Sequence, residues 1–187
     1  MRRRSFLASS ITTLGLSVGC SKPPPLEVLG KVPDFVLTDQ TGARFDSLEK
    51  LNGHIWVACF IFTNCKGPCP RMSSQMKQVQ SATTDLPGLR MVSFTVDPER
   101  DKPPVLAEYA QRYGADSRWF FLTGPQAKLH LLKRYAFLLG SVDGELNHST
   151  RFALVDPKSQ IRAFYDTSDP ASITTLIADI RRLQKET

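Results

Sequence analysis

The sequence predicts an α/β domain, built on a central, mostly parallel sheet with helices on both faces. The uninterrupted apolar run HIWVACFIF (54–62) is what a central strand buried on both sides requires, and LRMVSFTV (89–96) reads as a second buried strand. Stretches of helical composition alternate with these runs, the pattern of parallel strands joined by crossover helices. The 187 residues are 41% hydrophobic and 22% charged, an ordinary globular mixture long enough for one domain with its own core.

The elements follow in order. DFVLTDQTGARFDS alternates apolar and polar residues around Gln40-Thr41-Gly42, which predicts a β-hairpin in front of the first buried strand. Residues 70–84 have helical composition, and Pro70 suits a first helical position. After strand 89–96, PPVLAEYAQRYG (103–114) reads as a helix stopped by Gly114. WFFLT (119–123) is a short strand, and PQAKLHLLKRYAFLLG (125–140) a helix opening with Pro and closing with Gly. RFALVD (151–156) and IRAFYD (161–166) are strands joined by the turn PKSQ, and PASITTLIADIRRLQ (170–184) is a terminal amphipathic helix. Alternation that ends in a hairpin and a helix is the thioredoxin-like plan, here with an extra N-terminal hairpin.

The first residues stand outside that plan. MRRRSFLASSITTLGLSVGC has Arg2, Arg3 and Arg4, a modestly apolar run, and Gly19 before Cys20. It reads as an export signal over residues 1–19, and Arg3-Arg4-Ser5-Phe6-Leu7 resembles the twin-arginine pattern. SVGC is similar to a bacterial lipoprotein cleavage box, which makes Cys20 the expected acylated first residue and membrane anchor. A plain signal peptide with Cys20 near the cut is the alternative. Three prolines in SKPPPLEVLGKVP then predict a tether over residues 20–31, and residues 32–187 are read as one domain. The location implied is extracytoplasmic. Loss of residues 1–19 removes three arginines and no acid, so the formal charge falls from +6 to +3. With no basic run and no aromatic-basic interleaving, nucleic acid is not an expected partner.

IFTNCKGPCPRMSSQMK (61–77) holds two of the four cysteines, Cys65 and Cys69, with three residues between them. In the predicted plan they occupy the loop after the first buried strand, beyond its carboxyl end, where ligands of open α/β sheets bind. Cys69 precedes the helix opened by Pro70, and Lys66 and Arg71 lie nearby, so a thiolate is expected. A bridge across so short a gap constrains little chain, which argues against a purely structural disulfide. A redox dithiol and a metal clip remain. Two soft thiolates suit copper, cuprous copper especially, and an imidazole would complete a trigonal set for either oxidation state.

The chain offers three histidines. His54 stands at the wrong end of the central strand, and His130 lies in a helix expected to pack through Leu129, Leu131 and Leu132. His148 sits in VDGELNHSTRF, a polar loop that this plan returns beside the cysteine loop. Cys59, alternating with Val57 and Ile61 within the strand, reads as a buried, inert thiol. In VDPERD, Asp97 or Asp101 can cap a helix and Arg100 can pair with an acid, or the stretch can support the site or a docking partner.

Four motifs in this order, FTNCKGPCP, TVDPERD, FLTG and NHSTRFALVDP, resemble the Sco/SenC copper proteins over roughly residues 32–185. The resemblance implies a thioredoxin-like fold and a membrane-anchored, extracytoplasmic protein. It also implies copper, Cu(I) or Cu(II), held by Cys65, Cys69 and His148. Family members are implicated in assembling the dicopper CuA centre of cytochrome c oxidase, so subunit II or another copper protein is the implied acceptor. Some are proposed instead to reduce that centre's cysteines, a role in which Cys65 and Cys69 are a redox dithiol. Where the family often has acidic residues, this chain has Lys66, Gly67, Pro68 and Arg71 around the cysteines and Asn147 before the histidine.

Two classes of function follow: a copper carrier, or a thiol–disulfide oxidoreductase or peroxidase on the same fold. The carrier is favoured. The two-residue cysteine spacing of thioredoxins is absent, and so is the proline that such oxidoreductases place before the strand facing their dithiol.

Overall fold

The computed structural model describes residues 24–137 and 149–186. Its centre is an eight-stranded sheet: β1 (Gly30–Lys31), β2 (Val36–Asp39), β3 (Arg44–Asp46), β4 (Trp56–Ile61), β5 (Arg90–Thr95), β6 (Trp119–Thr123), β7 (Arg151–Val155) and β8 (Gln160–Asp166). The spatial order is β1-β8-β7-β4-β5-β6-β2-β3. Strands β4, β5 and β6 are parallel, and the remaining pairs are antiparallel. The expected N-terminal hairpin is β2–β3. Gly42, at φ 85°, takes its left-handed corner, and the Asp39 carboxylate accepts from the Thr41 and Ala43 amides at 2.8 and 3.1 Å.

Alternation along the central strand divides the interior in two. Val57, Cys59 and Ile61 point to a layer formed by α2 (Cys69–Ala82), α3 (Pro103–Arg112) and α5 (Ser172–Gln184). Trp56, Ala58 and Phe60 point to a second layer, where Phe35, Phe45, Phe94 and Phe137 pack with α4 (Gln126–Leu131). A short α1 (Ser47–Lys50), capped by Asp46, also flanks the sheet and was not foreseen from sequence.

Three expectations need correction. The chain is held to the domain upstream of residue 32: β1 pairs with β8, and the Arg162 guanidinium donates to the Leu26 and Glu27 carbonyls. Asp156, buried against the same guanidinium at 3.0 Å, fixes that clasp. Second, the helix after the cysteine loop begins at Cys69 itself, one residue before Pro70. Third, the helix predicted over 125–140 is α4 followed by a π-turn (Leu132–Ala136), closed by the Phe137 amide donating to the Leu132 carbonyl at 3.0 Å. Leu129 and Leu132 are buried there as expected, but Leu131 is exposed because the helix presents it outward.

Candidate functional site

The carboxyl ends of β4 and β5 create the site. Val96 donates to the Ile61 carbonyl at 2.8 Å, which extends the ladder to the last residue of β4. Beyond it the chain turns, the Cys65 amide donating to the Phe62 carbonyl at 3.3 Å and the Gly67 amide to Cys65 Sγ at 3.4 Å. Cys69 is the first residue of α2 and has no exposed surface, whereas Cys65 is 8% exposed. Both are free thiols, and Cys65 is near enough to Cys69 to perturb its titration. The pair is therefore a buried dithiol, Cys69 fully covered and Cys65 with a small exposed edge, bordered by exposed Lys66, Gly67 and Arg71.

The thiolate expected at Cys69 is not favoured in the metal-free chain. Burial, with the neighbouring Cys65 thiol, pushes Cys69 up to about 12, and the Phe62 backbone offsets only part of this. Desolvation outweighs the helix start because the side chain packs under the helix, among Met72 and strand side chains. A soft cation that binds both sulfurs must displace this proton.

Asp101 holds the loop in place. It is 1% exposed, and its carboxylate accepts from the Thr63 hydroxyl at 2.5 Å, the Thr63 amide at 3.1 Å and the Thr95 hydroxyl at 2.6 Å. One buried carboxylate thus joins the start of the cysteine loop to the end of β5. It does not cap α3, whose cap position is Lys102. The Arg100 pairing with an acid is present, to Asp97 at 3.7 Å. The signal for Asp101 was a pair of threonines, Thr63 and Thr95, at the ends of adjacent strands, which need an acceptor once buried.

Cys59 is buried as expected, 3.2 Å from the Ser93 hydroxyl, which also accepts from Trp119 Nε1 at 3.0 Å; burial pushes its thiol up to about 12. His54 precedes β4 at its amino end, and His130 is exposed on α4. Among the described residues no cluster of three His, Cys, Asp or Glu groups forms. His148 and Cys20 lie outside the described residues. The chain just after His148 is placed: β7 runs antiparallel to β4 and so starts where β4 ends. There the Thr150 carbonyl accepts from the Thr167 amide at 2.8 Å, and the Thr167 carbonyl accepts from Gln75 of α2 at 2.9 Å. Thr150 is thereby tied, through Thr167, to the helix that begins with Cys69.

The SCO1/SenC family model matches residues 27–185, which include all of this architecture. The chain belongs to the SCO1/SenC family. It is similar to the crystal structure of a SCO1/SenC family lipoprotein from Bacillus anthracis, with 30% identity and a TM-score of 0.77, covering 86% of this chain and 99% of that one. BsSco, described through a disulfide switch and as a member of the Sco family of cytochrome c oxidase assembly proteins, is 30% identical with a TM-score of 0.75, covering 87% and 98%. Yeast Sco1 with copper bound is 25% identical with a TM-score of 0.67, covering 89% and 96%.

Proposed function

We propose that this SCO1/SenC protein is an extracytoplasmic copper carrier, anchored through acylated Cys20, that holds one copper on Cys65, Cys69 and His148. Its acceptor is the CuA centre in subunit II of cytochrome c oxidase or another copper protein. The observation that supports this best is the pair of free, buried thiols, Cys65 and Cys69, in the loop and helix start that follow the carboxyl end of β4. Two thiols with one imidazole are a soft donor set that accommodates both copper oxidation states. The start of β7, three residues after His148 in the sequence, lies at the same end of the sheet. A copper-bound relative, a lipoprotein relative and a relative from a cytochrome c oxidase assembly family point the same way.

A second reading has its own support. Cys65 keeps a small exposed edge, 8%, and Cys69 none, an order that suits Cys65 to attack and Cys69 to resolve a target disulfide. The Cys65 thiolate would form a mixed disulfide, Cys69 would displace the target thiol, and the two electrons would pass to the target as Cys65–Cys69 closes. The test is anaerobic titration of the reduced chain with cuprous and cupric copper. The carrier reading expects one copper per chain, lost in Cys65→Ser and Cys69→Ser, with His148→Ala weakening cupric more than cuprous binding. Rapid catalytic disulfide reduction, with copper affinity unchanged by these replacements, would decide for the second reading.

A further inference from the structure

We propose that the outer side of α4 and its π-turn, together with α1 and the strap at Lys31–Asp34 across a shared groove, is a docking surface for an anionic lipid bilayer. Residues 126–136 bury Leu129, Leu132 and Ala136 in the aromatic layer. The wide π-turn lets Leu132 and Phe137, five residues apart, both face inward, which leaves Tyr135 outside. Leu131 and Tyr135, four residues apart and on one side of the helix, are 57% and 65% exposed. Leu48 of α1, 55% exposed, faces them across a groove of about 670 Å³. Half of the six exposed large hydrophobic side chains among the described residues line this one groove.

The charge around these apolar tips has one dominant sign. Residues 125–137 include Lys128, Lys133 and Arg134 and no acid. The Arg134 guanidinium lies over the Tyr135 ring, 5.7 Å from its centroid. Lys31 stands on the opposite wall. Of the two acids lining the groove, Asp46 is neutralised by Arg44 at 2.5 Å and also caps Leu48 at 3.0 Å. That leaves Asp34 against Lys31, Lys128 and Arg134, with Glu49 of α1 paired to Arg44 at 3.7 Å. Leucine and tyrosine flanked by long cationic stems are the composition of an interfacial helix, whose apolar side chains enter the headgroup boundary while lysine and arginine meet anionic lipid.

The tether argues for a bilayer over an acidic protein. If Cys20 is acylated, as proposed above, five residues lie between the anchor and Leu26, where Arg162 fixes the chain. Six Cα-to-Cα steps span at most roughly 20 Å. A domain held that close meets the bilayer with some part of its surface, and this face has the matching chemistry.

The test needs neither copper nor the acyl group, so it succeeds or fails apart from the carrier reading. Residues 24–187 contain all eight strands and both apolar layers, and this reduced chain is sedimented with vesicles. The expected result is binding to phosphatidylglycerol–phosphatidylcholine vesicles, little binding to phosphatidylcholine alone, and release by salt. Leu131→Ser/Tyr135→Ser should weaken binding about tenfold. Lys128→Glu/Arg134→Glu should also weaken it, and Val105→Ser, on another exposed apolar residue, should not. Circular dichroism and melting should stay unchanged for the exposed-site variants. Absence of anionic-vesicle binding, equal binding to both vesicle types, or full binding by Leu131→Ser/Tyr135→Ser would overturn the proposal. Capture by polyglutamate without vesicle binding would assign the face to an acidic protein instead.

Discussion

The two sides of the sheet are built from different chemistry. The α2–α3–α5 side carries Cys59, Cys65 and Cys69, and polar groups thread its apolar packing: Ser93 joins Cys59 to Trp119, and Ser73 meets Tyr109 at 2.9 Å. The α4 side has no thiol among its described core residues and is held by rings, with Phe94 within 5.0–5.7 Å of Phe60, Phe35 and Phe137. Both sides bury comparable strands, so burial alone does not separate them. The aromatic side supplies stability and a lipid-facing exterior, and the thiol side supplies reactivity.

The sharpest way to break this division is Phe94→Ala. Phe94 has no exposed surface, and its loss should cost about 3–5 kcal/mol. Copper stoichiometry of the chain that remains folded should not change. If Phe94→Ala abolished copper binding at a temperature where circular dichroism still shows the fold, the two sides would not be independent. Copper should act from the opposite side. In the reduced chain, a hundredfold excess over Kd should add about 2.7 kcal/mol of stability, and Cys65→Ser/Cys69→Ser should lose this gain. Equal melting shifts for both chains would place the metal elsewhere.

Asp101→Asn should have a smaller effect on stability, about 2 kcal/mol, because one buried acceptor serves three donors. It should nonetheless change the thiol side selectively. Alkylation of Cys65 should accelerate, since Thr63 at the base of its loop is released, whereas Phe94→Ala should leave that rate unchanged in folded molecules. An alkylation rate unaffected by Asp101→Asn would reduce Asp101 to a structural residue.

The smallest effect concerns Cys59. Burial raises its thiol to about 12, above the roughly 8.5 of an unfolded thiol. Its protonated form therefore favours the fold fully below about pH 8.5, and that contribution is lost as pH rises through 12. Cys69, raised in the same direction, adds to this alkaline loss. Cys59→Ala should make urea midpoints of the reduced chain fall less steeply between about pH 9 and 11. Identical slopes would show that Cys59 does not contribute.

The strands and helices were legible because their patterns are local. A continuous run such as WVACFI can be satisfied only in a covered central strand, and it forms β4. The cysteine loop was legible from its position after that strand. What the sequence did not disclose depends on contacts between distant residues. Asp101 reads as a helix cap until Thr63 and Thr95 are seen to converge on it. Residues 26–31 read as tether until Arg162, 135 positions after Glu27, takes the Leu26 and Glu27 carbonyls. Cys69 reads as a thiolate because helix position is visible in sequence and desolvation is not. Lys31, Leu48, Leu131 and Tyr135 become one surface only when α1, α4 and the strap are brought together.

The proposed copper site stands or falls with its three ligands. X-ray absorption at the copper edge of the cuprous-loaded, reduced chain, compared with His148→Ala, tests it directly. The expected result is a shell of two sulfurs and one nitrogen in the wild type, with the nitrogen lost and both sulfurs kept in His148→Ala. A shell without sulfur, or a nitrogen contribution unchanged by His148→Ala, would contradict the assignment.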